Sequence, residues 1–222
     1  MARTPKRTER RTESLSRERI VQAAIELLDV DGEAGLTFRA LASRLQTGAG
    51  AIYWHLENKD ELLTETTNDL IAAALGVTSR SKTPADAIRA VALALFDAID
   101  AHPWVGAQLT RDPSQSAMLE IFERIGAQLL ALEVPEKALF AAASTLVNYI
   151  IGVAGQNAAN ARNPELGTRE QFLATVVTRW SSLEPATHPF LNHIEKQLRH
   201  HDDREQFLAG IDLILAGIDA RR

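Results

Sequence analysis

Between Thr37 and Lys59 the chain reads TFRALASRLQTGAGAIYWHLENK, and its side chains suit recognition of a polyanion. Arg39 carries a planar guanidinium fork that matches guanine O6 and N7 in the DNA major groove. Thr37, Tyr53, His55 and Lys59 are donors of the kind that position a protein on phosphate oxygens. Between them, Ala49, Gly50 and Ala51 offer no side-chain hydrogen bond, but they allow close approach and apolar contact with a thymine methyl. Arg39 is therefore the expected base reader and the other donors the expected phosphate contacts. For Tyr53 and His55 the plain alternative is packing within the domain, a role that apolar Trp54 and Leu56 fill more naturally by facing the first helix.

Other chemistries find less support. No Ser-His-Asp elbow, phosphate loop or paired catalytic carboxylate stands out, so no catalytic residue is assigned and an enzyme is not expected. His188, His193, His200 and His201, with Asp202 and Asp203, invite a metal reading. Their adjacency lacks the i, i+4 facing of a helical metal site, so a solvated helix end is expected. There is no cysteine, which removes disulfides and thiol–metal sites and argues nothing for secretion. Neither metal nor cofactor is expected.

The elements that must hold these side chains are helices. Leu41 and Leu45, four apart, share one face of a short helix for which Thr37 is the N-cap. Gln46-Thr47-Gly48 interrupts it and a second short helix, 49–55, follows. Two short helices joined by a tight Gly-containing turn make a helix-turn-helix; an ordinary helical hairpin is the alternative. Upstream, Ser16 can cap a first helix with Ile20, Ala23, Ala24, Leu27 and Leu28 on one face, ending at Asp31-Gly32. Downstream, Asn58 can cap a fourth helix, with Asp60 and Glu61 in its first turn.

At these residues the chain resembles the TetR (tetracycline-repressor) family of bacterial transcriptional repressors. AIYWHLENKDELL, TFRALASRL and RIVQAAIELLDVDG carry a close and specific match over about residues 17–64. AHPWVGAQLTRDPSQS, ALFAAASTLVNYIIGVAGQ and FLAGIDLILAGI resemble the family's ligand-binding domain more loosely. The chain departs from the family in the turn, where Gln46 and Thr47 replace the usual Gly and apolar residue; Gly48 is expected to take the positive φ instead. The resemblance puts Arg39 where family members often reach a base. It also implies a homodimer on a near-palindromic operator, and a small-molecule effector. The namesake's metal-holding histidines and glutamate align with Leu75, Ala107 and Gly155, none of which can bind metal. An organic effector held without metal is therefore expected, rather than tetracycline.

Composition agrees with a helical fold. Of 222 residues, 45% are hydrophobic but only 5% aromatic, which suits closely packed helices. The net charge is −5, yet residues 1–20 hold seven Lys or Arg against three Glu, a local +4 that leaves −9 on the rest. A basic arm before an acidic body fits a polyanion contact at one end, a merely solvated tail being the alternative. No segment approaches 18 uninterrupted apolar residues and the N-terminus is polar, so a cytoplasmic protein with no membrane contact is expected.

The architecture expected is all-α, with a basic flexible arm (1–15), an N-terminal three-helix helix-turn-helix domain (16–75) and a C-terminal helical ligand-binding and dimerisation domain (76–222). GVTSRSKTP, residues 76–84, reads as the linker. In the second domain Phe96, Trp104, Leu109, Met118, Phe122, Phe140, Leu146 and Tyr149 supply bulky apolar surface. His102, Thr145, Asn148, Gln156 and Asn157 are the polar groups near it, a mixture that suits a small-molecule cavity. Taken singly, each reads as a core residue, and the cavity rests mainly on the family resemblance. Near the C-terminus, Phe207, Leu208, Ile211, Ile214, Leu215 and Ile218 form one stripe that needs a partner. A dimer seam is expected, with an intramolecular core as the alternative. The function expected is a ligand-responsive repressor released from its operator by a mostly apolar organic effector. The alternative is a DNA-binding adaptor or architectural protein whose second domain binds protein.

Overall fold

A computed structural model describes residues 15–76, 81–162, 167–198 and 201–220. Most of the basic arm, part of the expected linker and His200 lie outside the described residues. Eleven helices and no strand occur among those described. The chain divides into two compact units, Met1–Thr66 and Thr67–Arg222.

In the first unit, α1 (Arg17–Gly35) begins where the Ser16 hydroxyl accepts the amide of Arg19. Gly32, at φ 66° and ψ −171°, breaks its helical run at the expected stop. Helix α2 (Phe38–Arg44) is capped by Thr37, whose hydroxyl accepts the Ala40 amide at 3.1 Å. Helix α3 (Ala49–Tyr53) follows, and then α4 (Lys59–Gly76). The Asn58 carboxamide oxygen caps α4 by accepting the Glu61 amide at 2.8 Å. Ile20, Ala24, Leu36, Leu41, Ile52 and Leu62 are fully buried, so the periodic apolar faces close on one another as their spacing requires.

The division between units falls inside α4, not at residue 75. Leu62 and Leu63 are buried in the first unit, whereas Ile71 and Leu75 join the core of the second. At the division, buried Thr66 turns its hydroxyl back onto the carbonyls of Leu62 and Leu63, at 3.0 and 2.9 Å. A buried hydroxyl needs such a partner, and in mid-helix the preceding turn supplies it.

The second unit is built on α8 (Glu136–Ala161), 26 residues long and apolar enough to cross a bilayer by length and composition. Here it is a packing axis for α5 (Pro84–Ala101), α6 (Trp104–Arg111), α7 (Ser116–Ala131) and α11 (Asp203–Asp219). Helices α9 (Arg169–Ser181) and α10 (Pro189–Leu198) pair with each other. Asn68 of α4 accepts the Ala117 amide at 2.9 Å, satisfying an orphan donor in the first turn of α7 from a distant element. Glycines let neighbours close in. A Cβ on Gly210 would overlap the Tyr149 hydroxyl, which donates to the Phe207 carbonyl at 3.2 Å.

This packing corrects the expected dimer seam. Phe207 and Ile211 are fully buried in their own chain and Leu215 is 8% exposed. Phe207 stacks on Tyr149 and lies 4.8 Å, ring to ring, from Phe96. Arg89–Asp212 and Arg204–Asp97 ion pairs, at 2.7 and 3.1 Å, flank the same α5–α11 contact. The stripe is core because two helices of the same chain reach it first. Leu208, Ile214 and Ile218 are half-buried at its margins.

The expected cavity residues separate in the same way. Phe96, Leu109, Met118 and Leu146 are core, and His102, Trp104, Phe122 and Tyr149 are half-buried. Phe140 is 81% exposed, and Thr145, Asn148 and Gln156 are exposed with it along the outer face of α8. Ala142, Ala143, Leu146, Val147, Ile150 and Ala154 occupy the inner face, and helical periodicity sends the polar residues outward. They line no interior pocket with Phe96. Asn157 does turn inward, and its amide nitrogen is buried without a hydrogen-bond partner among the described residues.

Candidate nucleic-acid interface

The α2–α3 turn is closed by backbone bonds alone. The Thr47 amide reaches the Ala42 carbonyl at 3.0 Å and the Gln46 amide reaches Ser43 at 3.2 Å. This is the paired bonding of a Schellman C-terminus, which needs a left-handed residue at its centre. That residue is Gln46, at φ 53°, and not Gly48 as its type suggested. Gly48 has φ −85° and ψ 147° and stands extended as the N-cap of α3. The bond pattern counts residues back from the end of α2, so position and not glycine content selects which one turns left-handed.

Two turns of helix then present the donors. Thr37 and Arg39 are exposed at the start of α2. Among the described residues no ion pair holds Arg39, whereas Arg44 is tied to Glu26 at 2.8 Å. Gly50 is exposed, and Ala49 and Ala51 are half-buried. Tyr53 is 59% exposed, with its ring packed edge-on to Phe38, 4.6 Å between centroids. That contact steadies the ring while leaving its hydroxyl outside. His55 is half-buried and its carbonyl accepts from Arg17 at 3.1 Å. The Lys59 ammonium donates to the Glu33 carbonyl near the end of α1, which leaves it two further protons for an anion.

Trp54 reverses its expected role, being 90% exposed, while Leu56 is buried as expected. Buried Ile52 and Leu56 stand one helical turn apart on the inward face, so a residue midway between them must point away. The sequence carries that phase in the spacing of Ile52 and Leu56, whereas the apolar type of Trp54 points the other way. A bare indole beside Tyr53 adds a flat apolar surface and one N–H donor to this exposed face.

Charge around the unit is arranged in pairs. Arg17 is held even more firmly protonated than usual, chiefly by its hydrogen bond with Glu65 and also by Glu61. The Ser16 hydroxyl holds the Glu18 carboxyl below its ordinary value. In the second unit, Asp203 accepts from Arg169 and meets His201 at 2.9 Å, and Asp202 caps α11 through the Glu205 amide at 2.8 Å. These C-terminal acids and His201 are engaged in starting a helix. His188 bonds Thr187, and His193 is exposed elsewhere.

Comparison with known proteins agrees with this arrangement. The profile of the bacterial regulatory proteins of the tetR family matches residues 20–66. That of the tetracyclin repressor-like C-terminal domain matches residues 80–222. A solved TetR-type transcriptional regulator from Streptomyces coelicolor is 52% identical, over 94% of this chain and 99% of that one, with a TM-score of 0.86. A curated HTH-type transcriptional regulator from Saccharopolyspora erythraea is 31% identical over 74% of this chain and 70% of its own. The TetR family protein ActR from Streptomyces coelicolor, solved with actinorhodin, is 23% identical over 93% of this chain and 96% of that one. Its TM-score is 0.77, and the likeness is one of fold.

The turn yields a stability test. Non-glycine residues pay about 1–2 kcal/mol in the left-handed region, and glycine gives back part of that advantage through unfolded-state entropy. Gln46→Gly should raise unfolding free energy by up to about 1 kcal/mol in urea titration. A loss of stability would mean that Gln46 is held by contacts stronger than its backbone strain.

Proposed function

The chain belongs to the TetR family of bacterial regulatory proteins, and on that premise we propose that it is a repressor that binds a near-palindromic operator as a homodimer. It is a DNA-binding transcription regulator of all-α fold, and the relatives it matches are regulators and not enzymes. The observation that carries the repressor reading is the exposed face of α2 and α3, where Arg39, in no ion pair among the described residues, stands with Thr37, Tyr53 and Trp54. Arg39 reads a base, and Thr37, Tyr53, His55 and Lys59 set the register on phosphates. Ala49, Gly50 and Ala51 let the backbone approach the base edges. Such a protein acts in the cytoplasm.

For the dimer, the outer faces of α8 and α11 replace the buried stripe. Phe140 and Leu213 are 81% and 75% exposed there. Beside them runs a groove of about 300 Å³ lined by Pro135, Ala138, Ala141, Ile214, Gly217 and Ile218. Large apolar knobs next to a groove floored by small residues suit self-complementary packing of two copies.

For the switch, an organic effector held without metal meets His102, Trp104, Phe122 and Tyr149 at the half-buried edge of the second core. Leu75 and Gly155, aligned with metal-holding positions of the namesake, are a core leucine and a glycine close to Gly106. The fold admits such ligands, as ActR with actinorhodin illustrates. Helix α4 contributes side chains to both cores, which makes it the covalent route between effector and DNA. Coupling is reciprocal, so the DNA-bound dimer must hold effector more weakly by the same factor that effector weakens DNA.

Three measurements test this reading. Duplexes selected from a random library by the full chain provide the DNA probe. On the selected duplex Arg39→Ala should cost about 1–3 kcal/mol and relax preference at one base position. Equal loss on a scrambled duplex would remove Arg39 from base reading. Leu213→Glu should give a folded monomer by analytical ultracentrifugation. Ile211→Glu should unfold the protomer, since a buried unpaired carboxylate costs several kcal/mol; a folded Leu213→Glu dimer would move the seam elsewhere. A thermal-shift screen should find an organic ligand that raises Tm, unaffected by EDTA and blunted by Trp104→Ala. A ligand whose effect vanished with chelator would overturn the metal-free site.

A further inference from the structure

Arg17, the first residue of α1, joins three elements of the first unit through one guanidinium. Its Nη1 donates to the carbonyl of His55, just past the end of α3, at 3.1 Å. Its Nη2 donates to Glu61 of α4 at 3.0 Å and lies 3.2 Å from Glu65 one turn further on. Its Nε donates to the other Glu65 oxygen at 3.3 Å. Glu61 turns its second oxygen to the Glu57 amide, accepting at 2.7 Å and fixing the α3–α4 connection. The group is half-exposed, with Arg17 at 42% and the two glutamates at 32% and 33% by side chain.

Two physical facts give this arrangement a consequence. Helix α3 has five residues, too few to keep a direction without tertiary support. Base readout tolerates errors of only about half an ångström or 10–20° in the groups that perform it. In addition, two carboxylates next to a polyanion interface repel the ligand, so electrostatics alone disfavours them there. Only a guanidinium meets three acceptors in one plane; an ammonium offers point charge without that fork.

We infer that Arg17 is a positioning residue for DNA reading: with Glu61 and Glu65 it fixes the tail of α3 between α1 and α4. The inference rests on the DNA-binding reading of this unit and goes beyond it, because Arg17 acts without touching DNA. A basic residue following a basic arm suggests instead a phosphate contact, and the two roles differ in measurable ways. A phosphate contact weakens binding to every sequence when removed and flattens the salt dependence by about one unit of slope. A phosphate contact also survives replacement by Lys. A positioning clamp does neither.

The test uses the full chain, a duplex selected by it from a random library, and a scrambled duplex of the same composition, over a series of salt concentrations. Arg17→Gln and Arg17→Lys should each lose about tenfold on the selected duplex, the scale of one mismatched base pair. Affinity for the scrambled duplex and the salt slope should stay unchanged. The pair Glu61→Gln with Glu65→Gln should lose selectivity to a similar extent, although it removes two negative charges beside the DNA. Circular dichroism and Tm close to those of the parent are expected for all three, since exposed ion pairs contribute little to stability. Equal losses on both duplexes for Arg17→Gln, a flatter salt slope, or full rescue by Lys would overturn the clamp in favour of a phosphate contact. Tighter binding of both duplexes by the glutamine pair would overturn it in favour of simple repulsion. If the parent chain enriched no duplex at all, the DNA-binding reading would fall, and the clamp with it.

Discussion

Helix α3, five residues long, stays folded through what it buries. Nucleating so short a helix is unfavourable in water, and its few internal hydrogen bonds do not repay the ordering. Ile52 and Leu56, at 0% and 1% exposure, supply the difference, each contributing about 1.5–3 kcal/mol by leaving water. The exposed face of α2 and α3 depends on that anchoring. With Ile52 and Leu56 inward, Tyr53 and Trp54 must face outward, and Phe38 is placed to support the Tyr53 ring. The Arg17 network then acts on an element already docked, adjusting direction and not existence.

The second unit meets a different constraint. Helix α8 carries a broad apolar face, from Ala142 to Ala158, that must be covered, and α5, α6, α7 and α11 cover it. What they leave open is one strip carrying Phe140, Thr145, Asn148 and Gln156. Polar residues on that strip limit the apolar area left exposed, while Phe140 and Leu213 keep two large apolar contacts available beside a small-residue groove.

Charges serve orientation more than stability. Arg89, Arg204 and Arg17 each bridge separate helices through exposed carboxylates, and exposed pairs contribute little free energy. Their planar forks fix angles between elements whose burial already supplies the stability. Arg39 differs from these three in having no ion pair among the described residues. That is the arrangement expected of a side chain reserved for an external acceptor.

Much was legible in the sequence because it rests on local rules. Ser16, Thr37 and Asn58 cap helices with their own side chains. Gly32 ends the first helical run at positive φ. The 3.6-residue periodicity gives the buried face of α1; caps and periodicity each need only neighbours within a few residues. The helix-turn-helix motif is of the same kind: two short helices and a tight turn, set by residues close together in the chain. Tertiary structure decided what depends on competition for a surface. The stripe of Phe207, Ile211 and Leu215 could equally have met a second chain or its own; α5 and α8 belong to the same chain and claim it first. Gln46 and not Gly48 turns left-handed because hydrogen bonds to Ala42 and Ser43 set the place of the turn. The domain boundary moved into α4 because a single helix buries its two halves in two cores. Arg17, His55, Glu61 and Glu65 meet across up to 48 residues of chain, a juxtaposition that no local pattern encodes and only the packed unit creates.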